Sequence, residues 1–195
     1  MGTRGCYGLR KDGVDKLTYN HMDSYPTWLG QNVVDFIKST TIEEMKDIFD
    51  KIILVKEGTD TPSDNELVEW KLTGDYGSGK FDWYSFLREY QGDLSYYKKD
   101  NAKYMIDNNT FIKDSLFCEW GYIINLYEGF LEVYKGFQSS PHENRYTDSN
   151  SIRESVDDTN YYPCKLFANY PLFDIPDSAM EDLEQMTNNY EDDVV

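Results

Sequence analysis

His21 and Asp23 stand two positions apart within YNHMDSYP, residues 19–26. On an extended chain alternate side chains point the same way. A strand running through residue 23 would therefore carry Leu17, Tyr19, His21 and Asp23 on one face. An aspartate that accepts from an imidazole N–H fixes its tautomer and stabilises the charged ring, which suits general acid–base work. Arg4 lies in the lead-in of the strand expected to pair with this one, and its guanidinium fork can hold an anionic group bidentately. Tyr19 and Tyr25 add hydroxyl groups, and Asn20 projects from the opposite face. Arg4, His21 and Asp23 are thus the candidate catalytic residues, with Tyr19, Asn20 and Tyr25 as candidate ligand contacts. The structural alternative is a strand end tied to the next helix, with Tyr25-Pro26 packed as a corner.

Other chemistries are poorly marked. His142 is the second of two histidines and sits in a polar stretch, too few for a histidine-based metal site. Cys6, Cys118 and Cys164 make no CxxC pair and no His–Cys spacing. There is no G-x-S-x-G motif, and Cys6, inside a predicted strand, has no base beside it. GDYGSGKF, residues 74–81, places Gly74, Gly79 and Lys80 at phosphate-loop spacing. Phe81 replaces the hydroxyl that should hold magnesium, and the preceding stretch is amphipathic where a buried strand is required. A flexible loop is the reading there, and neither a metal nor a cofactor is expected.

The chain carries 36 acidic and 19 basic side chains, a formal charge of −17. Such a field repels nucleic-acid phosphates and anionic membranes, so direct binding to nucleic acid or membrane is not expected. It favours a protein partner with a basic surface, while a small anionic ligand held by Arg4 is the alternative. The widely spaced cysteines, with no signal-peptide pattern and no bilayer-length apolar run, lead to the expectation of a reduced, cytoplasmic protein. Seventeen Tyr, 10 Phe and 4 Trp supply large rings for a core and argue against disorder.

The elements that must position these residues read as α+β: a mainly antiparallel, hairpin-built sheet packed by three to five helices. Asp12-Gly13 turns a first hairpin, and Pro26 ends its second strand. A helix is predicted near residues 29–38. A second begins at Thr41 with Glu44 three positions on, a capping box, followed by Met45, Ile48, Phe49, Ile52 and Ile53 at helical spacing. Ser63 or Thr61 caps a short helix through Trp70. A further helix over FDWYSFLREYQ buries Trp83, Phe86, Leu87 and Tyr90. Trp120, Tyr122, Ile124 and Leu126 alternate, Glu128-Gly129 turns, and Leu131 and Val133 return; apolar residues on both faces place this hairpin centrally in the sheet. A polar stretch over 138–160, a strand around CKLFANY and a helix capped by Ser178 complete the chain. Residues 1–173 are read as one globular domain and 174–195 as an acidic helix and tail. That tail holds eight acidic and no basic side chains, and Met180 and Leu183 can dock it on the core.

MGTRG, YNHMDSYP, DWYSFLREYQGD and DSLFCEWGYIINLYEGFLEVYKGF together resemble a family of phage, bacterial and fungal proteins that has no established activity. The likeness covers roughly residues 2–137. Its opening T-R-G corresponds to Thr3, Arg4 and Gly5, and its Y-N-H-x-D-S-Y-P to Tyr19, Asn20, His21, Asp23, Ser24, Tyr25 and Pro26. Similar proteins often carry another residue at Cys6, which speaks against a cysteine nucleophile. The charge, the separate acidic tail, the many aromatic residues and the absence of a complete catalytic motif point to a partner-binding protein. Such a protein engages or inhibits a host protein, such as a host-defence protein, and the resemblance alone adds that it is a phage-type accessory factor. Two functions follow: an acidic partner-binding protein, or a small hydrolase or ligand-binding enzyme whose site is built on Arg4, His21 and Asp23.

Overall fold

The computed structural model describes residues 2–63, 65–66, 82–147 and 161–192. The fold is α+β, with a five-stranded, mostly antiparallel sheet, a two-stranded sheet and four α-helices among the described residues. The glycine-rich stretch 74–80 and residues 148–160 lie outside the described residues. So does most of the helix expected through Trp70, although Ser63 and Glu66 make its reciprocal cap, with Ser63 N donating to Glu66 Oε2 at 2.6 Å.

Strands β1 (Gly5–Lys11) and β2 (Val14–Asn20) form the first hairpin. Asp12 and Gly13 have φ of +51° and +80°, the left-handed pair that a type I′ turn requires. Strands β5 (Trp120–Asn125) and β6 (Phe130–Lys135) form the second, and β7 (Lys165–Pro171) adds an edge, giving the order β2-β1-β5-β6-β7. The two hairpins join through β1 and β5, which run parallel. Parallel neighbours require a long crossover, and here it holds most of the remaining elements. It contains α1 (Gln31–Lys38), α2 (Ile42–Lys51) and α3 (Trp83–Leu87). It also contains the short parallel pair β3 (Ile53–Val55) and β4 (Tyr104–Ile106). The α2 capping box is formed on both sides, but the helix stops at Lys51. Ile52 turns extended and stays buried, while Ile53 begins β3 and is 47% exposed.

The sheet separates two cores. On one face Tyr7, Leu9, Trp120, Tyr122, Ile124, Leu131 and Val133 pack against the helices. The last helix, α4 (Ala179–Asp192), belongs to this core through Ala179, Met180 and Leu183, so the acidic segment is docked at least to Thr187. On the other face Cys6, Leu17, Ile123 and Tyr134 are covered by connecting segments that supply Ile112, Cys118, Tyr146 and Cys164. All six residues of β5 are buried, as expected of a central strand.

The second face also buries a carboxylate. Glu132 is 3% exposed, and its Oε1 accepts from Asn125 Nδ2 at 2.8 Å and Arg145 at 2.7 Å. Its Oε2 accepts from Tyr134 Oη at 3.0 Å and from the other arm of Arg145. A buried charge is tolerated only when every lone pair is so engaged.

Tyrosines are the chain's main buried titratable groups. Burial pushes the phenols of Tyr7, Tyr97, Tyr122, Tyr134 and Tyr146 well above their ordinary value. A raised phenol contributes stability that is complete below the unfolded tyrosine pKa of about 10 and is lost as pH rises through the folded value. A joint titration of circular dichroism and phenolate absorbance is expected to show an intact fold at about pH 9. Above about pH 10 it should show cooperative unfolding, each buried phenol steepening the loss by about 1.4 kcal/mol per pH unit. Smooth titration of every tyrosine near its ordinary value with unchanged dichroism would contradict this packing.

Candidate functional site

β2 ends at Asn20, three residues short of the strand that would align His21 with Asp23. Asp23 sits at φ +55°, a left-handed conformation that breaks the two-residue alternation. His21 and Asp23 are both exposed, and no hydrogen bond among the described residues joins their side chains. His21 Nδ1 instead shares a 3.0 Å hydrogen bond with Tyr19 Oη. The Tyr19 ring stands edge-on to Phe111 at 5.0 Å, and burial raises its phenol pKa while the Arg4 charge pulls the other way. Arg4 places its guanidinium over the Phe117 ring, 4.8 Å from the centroid. Arg4, Tyr19 and His21 therefore share one exposed side, and Asp23 does not complete an acid–base pair with them.

The rest of the motif is structural. Asn20 is buried and points its amide into the corner, donating to the Met22 carbonyl and, at 2.9 Å, to Ser24 Oγ. Ser24 is fully buried; its N–H donates to the Thr3 carbonyl at 3.1 Å and its carbonyl accepts from Tyr122 Oη at 3.0 Å. A Cβ on Gly5 would lie 2.5 Å from the Trp120 carbonyl oxygen and 2.7 Å from Ser24 Cβ, so only glycine lets these segments approach. Pro26 then opens a single π-helical turn, Pro26–Gly30, at a position where its missing N–H costs nothing. The T-R-G and Y-N-H-x-D-S-Y-P stretches are thus stitched to each other.

The cysteines gather on the second face, with Cys6 Sγ 3.7 Å from Cys118 Sγ and all three thiols buried. The Cys6 thiol pKa is raised by its hydrogen bond with Cys118 and by burial, and that of Cys118 chiefly by burial, which keeps both neutral and poorly nucleophilic. Among the described residues no group of three or more His, Cys, Asp or Glu is placed to hold a metal ion, and no helix is long and apolar enough to cross a membrane.

Tyr25 leads to a different site. With Glu119, Trp120, Lys135, Phe137 and Glu184 it lines a cleft of about 310 Å³ at the end of β5 and β6. Lys135 is the register partner of Trp120, and its Nζ lies 4.4 Å from the indole centroid. Glu119 Oε1 accepts from Arg4 N at 3.2 Å, and Glu184 Oε2 accepts from Thr27 N at 3.0 Å and from the Thr27 hydroxyl. Phe137 is 46% exposed and held at φ +56°, a costly conformation for a bulky residue, with its N–H on the Ser115 carbonyl at 2.7 Å. Two positioned carboxylates and aromatic walls suit a cation.

Of the sequence-predicted residues, only Tyr25 lines this cleft; Arg4 contributes its backbone, Asn20 is structural, and Tyr19 and His21 lie on the other side. Glu119, Trp120, Lys135, Phe137 and Glu184 were missed. The Trp120–Lys135 pair was accessible from the register of the predicted hairpin, whereas Glu184 comes from a distant helix with no local signal.

No protein-family model, curated protein or solved structure matches this chain, so the site is read from its own geometry.

The corner makes a stability prediction. Asn20→Ala leaves Ser24 Oγ and the Met22 carbonyl without their buried donor and is expected to cost about 1–3 kcal/mol in urea denaturation. His21→Ala, at an exposed position, is expected to stay within about 0.5 kcal/mol of wild type. The reverse order would mean that the histidine, and not the asparagine, holds the corner.

Proposed function

We propose that the protein is a binding protein for a basic protein partner, which it engages through the aromatic, carboxylate-bearing surface around Tyr25 and Phe137. The observation that carries this reading is the cleft itself, where exposed rings stand beside carboxylates on a chain of net charge −17. Trp28, three positions beyond Tyr25 on the π-helical turn, is 63% exposed. Exposed aromatic side chains at a concave edge are among those that dominate interface energies, and a strongly acidic field steers a basic partner into contact. The cleft lining carries two carboxylates against one ammonium, so its charge suits a small anionic ligand poorly. That the partner is a host protein, engaged by a phage-type accessory factor, rests on the sequence resemblance alone.

A second concavity, of about 360 Å³, lies at the opposite end of the β5–β6 hairpin and is lined by Ile42, Tyr127, Pro171 and Phe173. It provides an internal control. A partner captured at low salt is expected to lose about tenfold or more in affinity with Tyr25→Ala plus Trp28→Ala. Tyr127→Ala plus Phe173→Ala should leave capture unchanged, and raising the salt should weaken it in all variants. Capture that depends on Tyr127 and Phe173, or a basic host lysate fraction that yields nothing at low salt, would overturn the proposal.

A further inference from the structure

The cleft is built more narrowly than a general acidic surface. Each of its two carboxylates is held from the protein's own backbone by one oxygen, Glu119 through Arg4 N and Glu184 through Thr27 N. No hydrogen bond among the described residues reaches Glu119 Oε2 or Glu184 Oε1. Acceptors fixed in this way lose little freedom when a donor arrives, which is how a site gains affinity without gaining area.

A cation already occupies the indole face. Lys135 Nζ lies 4.4 Å from the Trp120 centroid and 5.8 Å from that of Phe137, both within the range of cation–π attraction. Among the described residues of the lining its single positive charge stands against two carboxylates, Glu119 and Glu184. One further monocation balances these described charges. A volume of about 310 Å³ is at the small end of ligand sites, the scale of one long side chain rather than a cofactor.

Resting on the basic-partner reading above, we infer that the cleft is a socket for one arginine side chain of that partner, with its guanidinium on Glu119 and Glu184 and its plane against Tyr25 and Phe137. Arginine fits better than lysine for three reasons. Its fork donates to two acceptors at once, its planar head stacks on exposed rings, and it gives up its water more easily than an ammonium. Lys135 is the internal competitor: it already covers Trp120 and repels a second cation, so it sets how tightly the socket closes on a partner.

The test titrates the full chain at low salt with three Gly-Ser-flanked peptides, one carrying Arg-Arg, one Lys-Lys and one a pair of uncharged, isosteric citrullines. Binding is read by calorimetry and by Trp fluorescence. The Arg peptide is expected to bind about fivefold or more tighter than the Lys peptide, and the citrulline peptide not measurably. Glu119→Gln keeps an acceptor oxygen for Arg4 N while removing the charge, and is expected to weaken Arg binding about tenfold with an unchanged melting temperature. Lys135→Met is expected to tighten it about threefold, and Lys46→Met, an equal charge change on the solvent side of α2 where Lys46 pairs with Glu43, by clearly less. Phe137→Ala supplies a second variant that leaves every cleft carboxylate in place, and it too should weaken Arg binding. Equal affinity for Arg and Lys peptides, indifferent to Glu119 and Lys135, would overturn the socket while leaving a basic-partner protein standing. Absence of binding to either charged peptide would also overturn the socket. Only the Tyr25–Trp28 capture experiment, failing in its turn, would remove the broader reading.

Discussion

Ser24 is fully buried in a segment that belongs to no strand, so its backbone groups must find partners outside a ladder. With the side-chain hydroxyl they reach three different segments. The N–H goes to Thr3 in the lead-in of β1, the carbonyl to the Tyr122 hydroxyl on β5, and the hydroxyl to Asn20 at the end of β2. These ties lock together the two strands whose parallel pairing defines the topology, and they aim the crossover into α1. Gly5 makes the approach possible, because any side chain there would strike the Trp120 carbonyl and Ser24 together. Thr3, Tyr25 and Pro26 are set by the same knot. The near wall of the cleft is therefore a by-product of how the sheet is closed.

The two faces of the sheet treat carboxylates differently, and the difference separates structure from function. Glu132 has both oxygens engaged, by Asn125, Tyr134 and two arms of Arg145, and the Arg145 guanidinium is in turn stacked 4.9 Å from the Tyr146 ring centroid. A carboxylate so enclosed has no capacity left for a ligand and serves only to fix the segment around residue 145 against β6. Glu119 and Glu184 stand at the sheet's end, each with one oxygen committed. Half-satisfied acceptors at a concave, aromatic edge are stable because water can reach them, and available because water can be displaced.

What could be read from the chain followed the range of the signal. The Asp12-Gly13 turn, the Thr41–Glu44 cap and the apolar alternation of residues 120–126 are local patterns, and each produced the expected element. The α+β class followed from them. The strand end did not, because nothing in NHMD announces that Asp23 will adopt a left-handed conformation and cancel the alternation that seemed to join it to His21. Nor did the parallel β1–β5 contact or the β3–β4 pair, since pairing across a crossover depends on tertiary closure and not on neighbouring residues. The candidate site was misplaced for the same reason. Side chains clustered in sequence at 19–25 divide between two sides of the corner, while the cleft gathers Glu119, Lys135 and Glu184 from three separate segments.

The charge of −17 and the cleft act at different ranges. At physiological ionic strength the Debye length is about 8 Å, so the summed field guides encounter and fades as a determinant once surfaces touch. The last ångströms are governed by groups whose positions are already fixed. The C-terminal segment illustrates the distinction: among the described residues Glu184 is its acidic side chain that lines the cleft, and it does so because Thr27 holds it there. All eight of the segment's acidic side chains add to the field. Removing charge from the tail and removing Glu184 are therefore physically different operations, the first acting on association rate and the second on what the site accepts once a partner has arrived.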